Sequence, residues 1–235
     1  MRCVVLQPSY IPWRGYFDQI RRADVFVFYD DVQYDVRGWR NRNRIKTERG
    51  PRWLSIPVLS KGTRLDRTPI RDIAICWDRD WARRHLSSLR HSYGGAPHFA
   101  QFAPELTPLY ENRPRMLAEF TIELSIRLAG ILGVTDTRFL RSSEIDRPEA
   151  RRTDDLLAIL ERVGATHYLT GPAARSYLDE ESLSRRGIAV EYMAYDYPLY
   201  PQLYPPFDPH VSVLDLLFMT GPAAAEYIWG TDARC

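Results

Sequence analysis

The chain has 235 residues, 45% of them apolar and 26% charged, which suits a soluble globular protein with a sizeable core. Its 32 basic and 30 acidic residues leave a net charge of +2, so no global positive field recruits nucleic acid. No apolar run reaches the roughly 20 residues that span a bilayer, and Cys3, Cys76 and Cys235 make no disulfide or metal framework.

The opening MRCVVLQPSY enters a strand-like run at once, without a charged leader, so a reduced, cytoplasmic protein is expected. Residues 2–6 and 25–29 read as buried strands, and 15–22 between them fits a short helix. Such a close βαβ unit predicts parallel neighbours. Strands are then predicted at 53–58 and 67–76, and helices at 77–93, 98–111 and 114–132. Alternation resumes with a strand at 137–142, a helix at 153–164 and a strand at 167–171. A short helix at 173–178, a strand at 188–195 and small helices at 212–219 and 222–228 close the chain. The expected fold is α/β: a three-layer sandwich with a mostly parallel sheet and a helical insertion at about 77–132. A single domain over 1–235 is expected, because no linker composition interrupts it.

The composition is unusual in its 6 Trp, 14 Tyr, 9 Phe and 17 Pro, many of them within 8–57 and 195–210. Aromatic side chains bury large areas, so these segments read as ordered, pocket-lining loops. Ligands of open α/β sheets bind beyond the carboxyl ends of strands. The first such loop holds Gln7, Tyr10, Pro12, Trp13, Gly15 and Tyr16, and the following helix start favours an anion. This turn resembles that of nucleotidylyltransferases, but Trp13-Arg14-Gly15-Tyr16 stands where those enzymes carry His-x-Gly-His.

Asp30 and Asp31 end the second strand, with Gln33 just after, and either acid is a candidate base or a cap. From Trp39 to Lys46, extended backbone places Arg40, Arg42, Arg44 and Lys46 on one face and Asn41 and Asn43 on the other. Guanidinium forks match phosphate, and a solvated edge strand explains the charges equally. His85, His91 and His98 lack metal spacing and read as surface or capping residues. His210 precedes Ser212, a predicted helix N-cap with Asp215 at N3, and serves as a base or a polar lid contact. Tyr200, Gln202 and Tyr204 belong to a Pro-Tyr segment expected to wall the carboxyl edge of the sheet.

The run QPSYIPWRGYFDQI…DVFVFYDDVQY…WRNRNRIKT…WLSIPV resembles the WbqC-like family, as does YLTGPAARSYLD with YPQLYPPFDPHVSVLDLLFMTG. The match is essentially full-length. The resemblance implies a role in tailoring sugars or small metabolites. A transferase moving an activated acyl or aminoacyl group onto an amine is the preferred expectation. Nucleotidyl transfer and a noncatalytic scaffold are the alternatives. Aminolysis of a thioester needs a base, oxyanion donors and orientation. Asp30, Asp31 or His210 supplies the base; Gln7, Tyr10, Gln33 and Asn41 are the donors; Arg42 and Lys46 clamp phosphate. The expected partner is a small molecule with a phosphate or pantetheine group, with an acyl carrier protein as a further partner. No cofactor, metal, nucleic acid or membrane is expected.

Overall fold

The computed structural model describes residues 1–148 and 153–230. Five parallel strands form the central sheet: β1 (Arg2–Leu6), β2 (Val25–Phe28), β5 (Arg138–Arg141), β6 (His167–Thr170) and β7 (Ala189–Tyr192). Their spatial order is β5-β2-β1-β6-β7. Helix α1 (Arg14–Arg22) joins β1 to β2 in adjacent register, Cys3 opposite Val25 and Leu6 opposite Phe28. Alternation along the strands sends side chains to opposite faces. Val4, Phe26 and Phe28 enter one core, whereas Cys3, Val5, Val25 and Val27 enter another.

The second core is closed by α5 (Thr153–Val163) and α6 (Glu180–Arg185) through Leu156, Ile159, Leu160 and Leu183. The first is closed by α1, by α4 (Leu117–Ile131) and by α7 (Val213–Thr220). The result is the expected sandwich. Between β2 and β5 the chain inserts an antiparallel hairpin, β3 (Arg42–Thr47) and β4 (Gly50–Ser55), then α2 (Trp81–Tyr93), α3 (Phe99–Glu111) and α4. The last helix of the described residues, α8 (Glu226–Trp229), packs on α1.

The short helix expected at 173–178 is a 3-10 turn at Pro172–Ser176, and α6 follows where no element is expected. Two further expectations differ from this structure. The strand expected at 53–58 lies at Gly50–Ser55, because Gly50, at φ +94°, closes a tight turn against Thr47 and draws the hairpin forward. The strand expected at 67–76 is an irregular connection with a 3-10 turn at Ile70–Asp72. Pro69 offers no N–H for a ladder. The amides around it instead reach several segments: Ile70 to Val32, Arg71 to Asp30, Ile75 to Arg115 and Cys76 to Pro57. This connection therefore fastens the hairpin region to the entry of α4.

Candidate functional site

In sequence order of the sheet strands, the arrangement is 3-2-1-4-5, so connections leave β1 and β6 toward opposite sides. A crevice opens where they part, at the carboxyl end of β1. Two cavities occupy it. The larger, about 710 Å³, is lined by Leu6, Gln7, Tyr29, Arg40, Tyr168 and Tyr177 among others. The smaller, about 330 Å³, is lined by Ser9, Pro12, Trp13, Trp39, Asn43, Tyr195 and His210, again with Leu6 and Arg40. Leu6 and Arg40 stand in both walls, so the two are lobes of one cleft.

The first turn is held in a strained form. Ile11 is buried at φ +36°, a region that β-branched residues avoid. The Asn43 amide holds it there, donating to the carbonyls of Ile11 at 2.8 Å and Tyr10 at 3.2 Å. Gly15 is needed for contact rather than for flexibility: a Cβ there would lie 2.4 Å from the Trp13 ring. Trp13 is thereby pressed onto α1 and meets Tyr195 edge-on, with centroids 4.9 Å apart. Burial pushes the Tyr195 phenol up to about 12, with the Asp18 charge adding to it, so it remains a neutral wall.

Arg40 is the most exceptional polar group of the cleft. Its Nη1 donates to the carbonyls of Gln7 at 3.2 Å and Pro8 at 3.5 Å. Its Nε is buried and, among the described residues, has no acceptor. Burial presses its pKa down, while Tyr16 and Asp35 act in the opposite sense. A buried donor without a partner costs stability, and an anion entering the cleft would relieve that cost. In sequence, Arg40 shares one face with Arg42, Arg44 and Lys46, and Arg42 and Lys46, not Arg40, are the expected phosphate clamps. Arg40 precedes β3, so strand alternation does not govern its direction.

The other expected residues divide sharply. Pro12, Trp13, Tyr16, Trp39, Asn43 and His210 line the smaller lobe and Gln7 lines the larger. Residues from 7–16, 30–46 and 195–212 thus meet in one cleft. Tyr10 does not reach it. Its hydroxyl lies in the core, 2.5 Å from that of Tyr110 and 2.8 Å from His85 Nδ1. His85 is correspondingly a core residue, not the surface or capping one expected, and burial lowers its pKa to about 4. Asn41 gives its amide to Ile56 and Gln33 gives its amide to Arg64 at the surface.

The shared cationic face also dissolves. Arg42 lies 4.7 Å over the Trp53 ring and donates to the Arg37 and Gly38 carbonyls. Lys46 is 2% exposed, and its ammonium donates to the Pro206 carbonyl. It fastens the Pro-Tyr segment instead of clamping phosphate. That segment is pinned elsewhere too: Tyr204 donates to Ser92, and Gln202 bridges Tyr200, Asp208 and Asp215. Ser212 caps α7 as expected, accepting from Leu214, whereas the Asp215 carboxylate turns to Gln202. Arg14 adds donors to Pro198 and Tyr227 and lies 4.7 Å over the Tyr197 ring.

Asp30 and Asp31 lie outside both lobes. Asp30 is 1% exposed and accepts from Ser143 N and Oγ, at 3.0 and 2.9 Å, and from Ser142 at 3.1 Å. Asp31 accepts from Ser142 and pairs with Arg147 at 2.7 Å, and Arg147 continues to Asp155, also at 2.7 Å. Adjacent to this network, the Tyr29 hydroxyl donates to Asp155 at the edge of the larger lobe. Burial and that bond raise the Tyr29 pKa well above its ordinary value. Among the described residues no three His, Cys, Asp or Glu side chains gather where they could hold a metal ion. No helix there is long and apolar enough to cross a membrane.

Fold and cleft together define an α/β protein with a small-molecule-sized crevice at the switch point of a parallel sheet. More particularly, the chain belongs to the WbqC-like protein family, whose model matches residues 7–227. It is 40% identical over 229 residues to the uncharacterized protein Rv1507c of Mycobacterium tuberculosis, covering 97% of each chain. No solved structure matches the chain significantly.

Proposed function

We propose that the protein is a transferase that joins an activated acyl or aminoacyl group to an amine of a sugar or natural-product precursor. The observation that carries this reading is the two-lobed cleft with Arg40 in both walls. One lobe takes the donor, whose phosphate or pantetheine-linked anion answers the unpartnered Arg40 Nε. The other, walled by Trp13, Trp39 and Tyr195, takes the ring of the acceptor.

His210 is the candidate base. Its side chain stands exposed at the smaller lobe, with Asp208 Oδ1 3.6 Å from Nδ1. The amine nitrogen attacks the thioester carbonyl carbon as its proton passes to His210. The C–N bond forms, the C–S bond breaks, and the thiolate leaves to take up that proton. Asp30 and Asp31 are spent on Ser142, Ser143 and Arg147 and have no part in this step. The strand order also suits a nucleotide, which keeps nucleotidyl transfer as the second reading.

The test is a mass-spectrometric screen of aminoacyl and acyl thioesters against amino sugars, with nucleoside triphosphates run in parallel. Amide product that falls at least tenfold in His210→Ala, and whose donor KM rises at least tenfold in Arg40→Gln, supports the reading. Nucleotidylated product, or amide formation indifferent to both variants, refutes it.

A further inference from the structure

Residues 36–71 carry eleven Arg and Lys against two acids, Glu48 and Asp66, a net +9. The whole chain is only +2, so the remainder carries −7. The protein is therefore strongly polarised although nearly neutral. Among the described residues only Arg71 of this basic set makes an ion pair, with Asp72 at 3.8 Å. The other arginines and lysines of the segment meet carbonyls, aromatic rings or solvent.

The same segment holds the exposed apolar surface. Nine large hydrophobic side chains are exposed among the described residues, and five of them lie here: Val36, Trp39, Trp53, Leu59 and Leu65. Trp39 and Trp53 pack at 4.9 Å, and Arg44 lies 5.8 Å over each ring. Hydrogen bonds make the strip continuous. Arg42 joins the hairpin to Arg37 and Gly38, and Gln33 and Tyr34 join that stretch to Arg64 and Thr68. Exposed Trp interleaved with Arg is the composition of a protein-binding hot spot, not of a passive edge. The strip also borders the cleft, since Trp39 lines the smaller lobe and Arg44 donates to the His210 carbonyl.

We infer that the β3–β4 hairpin and the 60–71 loop form a docking surface for an acidic partner protein. Guanidinium forks favour carboxylates in fixed geometry, and the surrounding field speeds the encounter. Stacking of nucleic-acid bases suits the strip less well, because the Trp rings already face each other and the guanidinium groups. The partner's position beside the cleft mouth makes it the carrier of the acyl donor. That identity rests on the transferase reading; the docking does not.

The experiment uses the full chain and a purified acidic acyl carrier protein, unloaded, titrated at ~50 and ~200 mM salt. Arg49, Lys61 and Arg64 are exposed and make no ion pair among the described residues, so they are reversed together to Glu. Trp53→Ala tests the apolar part. Binding of the carrier should weaken with salt, and at least tenfold in each variant, while a free pantetheine thioester binds all three proteins alike. Absence of carrier binding at low salt, or equal binding by wild type and both variants, overturns the inference. So does binding of poly-uridylate or anionic vesicles that depends on the same residues while the carrier is ignored. Docking without acyl transfer would uphold this surface and sink the transferase reading. Turnover of the free thioester with no docking would do the reverse.

Discussion

Two polar corners of the same sheet edge behave in opposite ways. After β2, Asp30 and Asp31 are met by Ser142, Ser143 and Arg147, so almost every charge there has a partner inside the protein. After β1, Arg40 keeps a buried Nε without one, Ile11 is held in a strained turn, and His210 stands exposed at the rim beside Asp208. A saturated corner stabilises the fold, whereas an unsaturated one costs stability that a ligand can recover. Adjacent carboxylates look more catalytic than a lone arginine in sequence. In the folded molecule the carboxylates are met by partners, and the arginine keeps an unpaired donor.

The sharpest way to break this contrast is to empty the saturated corner. Arg147 has a side chain only 9% exposed and serves Asp31 and Asp155 at once. Its pKa is raised well above normal because bonds to both carboxylates outweigh burial. Arg147→Met should leave two poorly solvated carboxylates and cost about 3–5 kcal/mol, read as a lowered urea midpoint. A loss under about 1 kcal/mol would show that this corner is not structural.

A smaller effect comes from pH. His85 is buried beside Tyr10, with its pKa lowered from 6.5 to about 4. Below pH 6.5 the unfolded chain binds a proton that the folded chain refuses until about pH 4, so stability falls as pH drops through that window. The full loss is on the order of 3 kcal/mol, seen by calorimetry between these limits. In His85→Gln that portion of the pH dependence should vanish. Its persistence would mean that another group carries it.

The smallest expected change in stability belongs to the open corner. Arg40→Gln removes donors to Gln7 and Pro8 but also removes an incompletely paired buried charge, so unfolding free energy should move by only about 1 kcal/mol. The same protein should lose anionic ligands in calorimetric titration. A loss as large as that of Arg147→Met would place Arg40 among the structural residues.

Local patterns carried much of this architecture. Short β-branched and aromatic runs around a two-turn helix specify β1, α1 and β2, because side-chain period and chain length leave few pairings. The first turn, with its proline and glycine, was equally legible as a loop that lines the cleft. Lys46 was not: strand period put it on the exposed face, while the Pro-Tyr segment, 160 residues later, buries it. Arg40 escaped for a related reason, since it lies just before the strand whose period was used to aim it. Asp30 and Asp31 are an instructive exception, because sequence alone offers each acid as a base or a cap. The partners they meet, Ser142, Ser143 and Arg147, lie more than 100 residues away.

The sequence by itself therefore determined the strands of the central sheet, most of the helices and the segments that form the cleft, since these follow from near-neighbour sterics and hydrophobic period. Tertiary structure decided which polar groups are satisfied and which are left open. Hydrogen-bond partners come from residues far apart in the chain, and whether a buried donor finds one depends on where the whole chain is brought together.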